Sequence, residues 1–210
     1  MDRLSRFAPL SGLTFAVLFA VGSAFWAFDQ PPRDAGSEEV TSFYESSSTE
    51  ILIGGTISIV SLLFLVWFGS VLHERLVAAE APRRSGLPLV AFGGAVLTAA
   101  VGLGAESINM AGALSAEDGQ LTADTSQVYF DVSYALGAPA AGVALAMIAA
   151  PTALVALQTG RLVPGWAAWL ALLVALAALT PVMLTPAFAV VFGFVIALFA
   201  GSSVQLYRQN

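Results

Sequence analysis

At 210 residues the chain has the length of one domain, and 58 % of it is hydrophobic against only 10 % charged, which lies outside the composition of soluble globular proteins. It has no Cys, which excludes disulfides, thiol catalysis and zinc–thiolate sites. All eight basic residues are Arg and the net charge is −6, which argues against nucleic acid as a partner and leaves the lipid bilayer as the first one.

Arg3 and Arg6 precede an apolar run read as a first span over about 11–28. Gly22 and Ala24 resemble the small residues before a secretory cut, but Phe25 and Trp26 follow directly, so an uncleaved span is expected. Residues 29–50 form an acidic loop with six carboxylates and one Arg, expected to be solvated. The second span, 51–72, is 22 residues long, enough to cross a bilayer. His73-Glu74-Arg75 closes it, and His73, the only histidine, is read as the helix end. The third span covers about 87–108, and 109–126 is a second acidic loop. A long fourth span over 127–158 is interrupted by Pro139 and Pro151, read as structural kinks. The fifth and sixth spans cover about 166–183 and 186–206.

The expected fold is therefore all-α: one integral membrane domain over 1–210, a polytopic six-helix bundle with both termini cytoplasmic. That topology puts seven of the eight arginines inside and leaves Arg33 alone outside, as the positive-inside rule requires. Trp26 and Tyr129 then mark the outer boundary, and Trp166, Trp169 and Tyr207 the inner one. The Lys-free, Ala-, Gly- and Val-rich composition points to a prokaryote, and so to its plasma (inner) membrane.

Packing in lipid favours small residues where helices meet. Gly94, Thr98, Gly102 and Glu106 recur every fourth residue and share a face of the third span. Gly54, Ser58 and Ser61 form a similar stripe in the second span, and Gly193, Ala197 and Gly201 in the sixth. In the fourth, Gln127, Asp131, Tyr134, Ala138 and Gly142 line up at spacings of three to four.

Ionisable residues within membrane spans are costly and mark functional sites by default. Glu106 and Asp131 lie at similar depth on antiparallel neighbouring spans, so they are expected to face each other. With Ser107, Asn109, Gln127 and Tyr134 they would build an outward-facing polar cavity for a small ligand, a lipid or a cation. Two close carboxylates would share a proton or a hard cation, since only oxygen ligands are on offer; which metal, if any, is open. The bland alternative is two separate interfacial acids, one of them near a helix N-terminus.

The chain has no His-Glu-x-x-His, no Gly-x-Ser-x-Gly, no phosphate-cradling glycine loop and no dinucleotide fingerprint. Nothing calls for a cofactor, and a non-enzymatic role is expected. The turn Arg161-Leu162-Val163-Pro164-Gly165-Trp166-Ala167-Ala168-Trp169 resembles that of uncharacterised bacterial six-helix integral membrane proteins. In these a Leu-x-Pro-x-Trp-x-x-Trp motif precedes helix five. A basic residue often follows the Pro there, and Gly165 stands in its place here. The resemblance implies the six-helix layout and no particular activity. Binding or transport through the cavity is the leading reading. An accessory or assembly subunit packing on other membrane proteins, or self-associating, is the second, and an intramembrane enzyme the third.

Overall fold

The computed structural model describes residues 7–81, 85–160, 162, 164–180 and 201. The expected sixth span other than Gly201, the end of the fifth (181–183) and six of the arginines (3, 6, 83, 84, 161 and 208) lie outside the described residues.

The described chain is all-α. A 3-10 turn at Ala8–Leu10 leads into α1 (Ser11–Ala24), followed by α2 (Ser37–Ser46), α3 (Ser48–Glu80) and α4 (Leu87–Glu117). Then α5 (Ala123–Ala135) runs through a π-helical segment at Leu136–Ala140 into α6 (Ala141–Thr159), and α7 is Gly165–Ala178. Among the described residues three units are long and apolar enough to cross a membrane: α3, α4 and the continuous stretch Ala123–Thr159. The stretches Ala8–Ala24 and Gly165–Ala178 are apolar but shorter.

Several boundaries differ from expectation. The second span is part of a helix of 33 residues, roughly 50 Å long at 1.5 Å per residue, well beyond a hydrocarbon core of about 30 Å. His73 therefore does not end a helix; its ring packs on Phe92 of α4 at 6.1 Å. Of the expected loop 109–126, residues up to Glu117 continue α4, and α5 starts at Ala123 behind a Thr122–Thr125 capping box. Nor are residues 29–50 a solvated loop. They contain α2, which buries Val40, Phe43 and Tyr44 at i, i+3, i+4 spacing while Glu38, Glu39 and Glu45 stay exposed.

The result is two main cores, with two smaller alanine clusters where α6 meets α7. One is built from Phe15, Leu62, Leu65, Phe68, Leu145 and Ile148, among others, between α1, α3, α4 and α6. The other gathers Val40, Phe43, Tyr44, Ile51, Ala113 and Phe130 into a cap at the acidic end of the bundle.

α4 is the central helix, packed against α3, α5 and α6, while α1 lies on α3 and α7 on α6. Small residues set these approaches. Gly54 of α3 meets the backbone of Gly22 in α1, with Ser58 beside it. Gly94 of α4 faces the Met147 backbone of α6, where a Cβ would stand 2.8 Å from a carbonyl carbon. The expected stripe of Gly54, Ser58 and Ser61 is buried, as are Gly94, Thr98 and Glu106.

The two prolines behave differently. Around Pro139 the backbone widens into the π-helical segment, whereas Pro151 sits within a helix that continues past it.

Candidate functional site

Beneath the cap lies a cavity of about 460 Å³. Phe15, Phe19, Ala20 and Ser23 of α1 form one wall, continued by Trp26, Ala27 and Gln30 after the helix ends. Thr98, Gly102, Ala105, Glu106 and Asn109 of α4 form the back, with Leu62 of α3. Ser133, Tyr134, Gly137, Ala138, Ala141 and Leu145 close it from the α5–α6 side. Most of these residues are apolar or aromatic, and the polar ones concentrate towards the cap. The π-helical segment contributes directly, since Gly137 presents no Cβ and Ala138 only a methyl.

Glu106 is the one carboxylate in the wall, and only 6 % of it is exposed. It fits because α3 offers Gly55 opposite, where a Cβ would sit 3.4 Å from Glu106 Oε2. That oxygen is buried and has no hydrogen-bond partner. The Ser58 hydroxyl is the polar group beside the carboxyl, yet it too is buried without reaching hydrogen-bonding geometry. Both groups are therefore under-satisfied, which is unusual for buried polar atoms.

One turn towards the cap, Asn109 Oδ1 accepts from the Tyr44 hydroxyl at 3.0 Å. Tyr44 is fully buried, and burial pushes its phenol pKa above the ordinary value, so it remains a donor. Two further hydroxyls in the wall are committed to backbone carbonyls: Thr98 donates to Gly94 O at 2.8 Å and Ser133 to Phe130 O at 3.0 Å. The Arg33 guanidinium lies over the Tyr134 ring, 5.3 Å from its centroid. Trp26 lines the cavity with its indole N–H buried and unpartnered.

Of the six residues expected in the cavity the fold brings together three, Glu106, Asn109 and Tyr134, while Ser107 is exposed and lies outside the wall. Asp131 is exposed and accepts from Gln127 Nε2 of its own helix at 3.3 Å, and neither residue lines the cavity. The expected facing of Glu106 and Asp131 is thus corrected. α5 turns Ser126, Phe130 and Ser133 inward. Asp131 follows Phe130 directly and so points roughly 100° away from that buried face.

The site also holds residues that spacing did not single out. Tyr44 was legible from its place beside Val40 and Phe43, beneath an acidic composition. The contribution of α1 was not, because that helix is apolar on every side. Among the described residues no group of three His, Asp or Glu is placed to hold a metal ion. No family model, no curated protein and no solved structure matches the chain.

Proposed function

We propose that the chain is a multi-pass protein of a prokaryotic plasma membrane that binds a small amphiphile in this cavity and does not transform it. In this reading it has six spans with both termini on the inner side, and the cap and the cavity mouth face outward. The charge distribution supports the orientation, since the cap carries most of the carboxylates and Arg33 is its one cation.

One observation carries the binding reading. The walls are largely apolar and aromatic, and they end on a single buried carboxylate whose Oε2 has no partner among the described residues. A free cation would find one charged ligand and few oxygens, whereas an amphiphile matches both the body and the polar end. The volume falls within the range of pockets that hold drug-sized molecules.

Native mass spectrometry of protein released from mild detergent tests this. The wild type is expected to retain a bound small molecule, and Gly137→Leu to lose it, because a Cβ at Gly137 meets only the Ala105 methyl, at 3.8 Å, and a larger side chain projects into the cavity. A wild-type protein with an empty cavity, after extraction that preserves its bound lipids, overturns the reading.

A further inference from the structure

Building on the amphiphile reading, we infer that the cavity selects an amphiphile with an amine head and seats that head on Glu106. Glu106 is the only charged residue among those that line the cavity. Ser133 spends its hydroxyl proton on a backbone carbonyl, and Tyr44 spends its own on Asn109. The Ser58 hydroxyl and the Trp26 indole N–H are unpartnered donors, but both are neutral, so no group beside Glu106 compensates its charge.

Charge narrows the choice. Among the described residues no cation pairs with Glu106, and Arg33 is engaged on the Tyr134 ring. A carboxylate or phosphate head would bring a second negative charge into a site that already buries one. A hydroxyl head would supply one proton and leave the acid uncompensated. An ammonium head supplies three donors and the opposite charge, and charge-assisted hydrogen bonds are the strong ones where water is excluded. The apolar tail then runs past Gly102 and Leu62 towards Phe15 and Phe19, which line the same cavity.

The test uses the full chain in lipid nanodiscs with Trp67, Trp166 and Trp169 changed to Phe, so that Trp26 in the cavity wall is the reporter. Dodecylamine, dodecanol and dodecanoic acid, each brominated at the tail end, are titrated as quenchers. Saturable quenching by the amine is expected at least about tenfold below the concentration needed for the alcohol. Glu106→Gln should bring the two level, and Gly137→Leu should abolish saturation for both. Equal midpoints for amine and alcohol, or tightest binding of the acid, overturn the amine assignment while the cavity reading stands. Absence of saturable quenching by all three overturns the cavity reading itself. If Glu106→Gln does not fold, the amine-to-alcohol ratio in the otherwise native chain decides the matter alone.

Discussion

Gly55 of α3 lies directly against the Glu106 carboxyl of α4: a Cβ at position 55 would stand 3.4 Å from Oε2 and 2.8 Å from Met110 Cγ. The acid is tolerated between two apolar helices because its partner helix gives up a side chain there. Among the described residues nothing hydrogen-bonds to its Oε2. Such an arrangement stabilises nothing by itself, since a carboxylate at the centre of a bilayer costs about 2.5–3.5 kcal/mol on insertion scales and less towards the interface.

With the small molecule stripped from both proteins, Glu106→Gln is therefore expected to keep or raise the thermal midpoint, while in mild detergent the variant fails to retain that molecule. The measurement is a melting curve of the stripped proteins alongside native mass spectrometry in mild detergent. A drop of several degrees would show that the carboxyl holds α3 and α4 together, and its assignment to a ligand would fail.

The Tyr44–Asn109 bond ties the cap to the cavity. Tyr44→Phe leaves Asn109 Oδ1 without its donor and is expected to cost about 1–3 kcal/mol. Asn109→Ala should cost a similar amount, and the double variant less than their sum, because both remove one interaction. The pH dependence has a definite sign. Burial raises the Tyr44 pKa above its ordinary 10.0, so its contribution is complete below about pH 10 and declines as the pH rises beyond that. Alkaline unfolding of Tyr44→Phe should accordingly be shallower than that of the wild type. Parallel curves would mean that Tyr44 titrates normally in the folded state.

Two adjacent glycines separate packing from propensity. At Gly94 a Cβ would press on the Met147 backbone at 2.8 Å, and backbone cannot swing aside. Gly94→Ala should destabilise by about 1–3 kcal/mol through overpacking of α4 on α6. At Gly93 nothing lies within 4 Å, so Gly93→Ala should be neutral or gain up to about 1 kcal/mol of helix propensity. Thermal midpoints of the two variants decide it, and equal shifts would contradict the close approach of α4 and α6.

Orientation can be read from single cysteines in this Cys-free chain. Ser46 and Gln120 are exposed on the cap, and Gln158 is exposed at the far end of α6. Ser46→Cys and Gln120→Cys should react with an impermeant maleimide added to intact cells. Gln158→Cys and Gln209→Cys should react only after permeabilisation. Reaction of Gln209→Cys from outside would break the arrangement with both termini inside.

The helical class, the long apolar units and the stripe of Gly94, Thr98 and Glu106 were determined by the amino-acid sequence alone. Apolar runs of more than twenty residues satisfy their backbone only as helices, and a four-residue repeat of small side chains must lie on one face. Tertiary structure alone decided which way α5 and α1 turn. The polar residues Gln127, Asp131 and Tyr134 mark a face of α5 by spacing, but Phe130 between Ser126 and Ser133 filled the cap core and rotated Asp131 outward. α1 is apolar on every side, so nothing in its own sequence says that Phe15 and Phe19 face a cavity; its seat on Gly54 and Ser58 of α3 does. Helices without a polar face carry no local record of their orientation, and only the close approaches of their partners supply one.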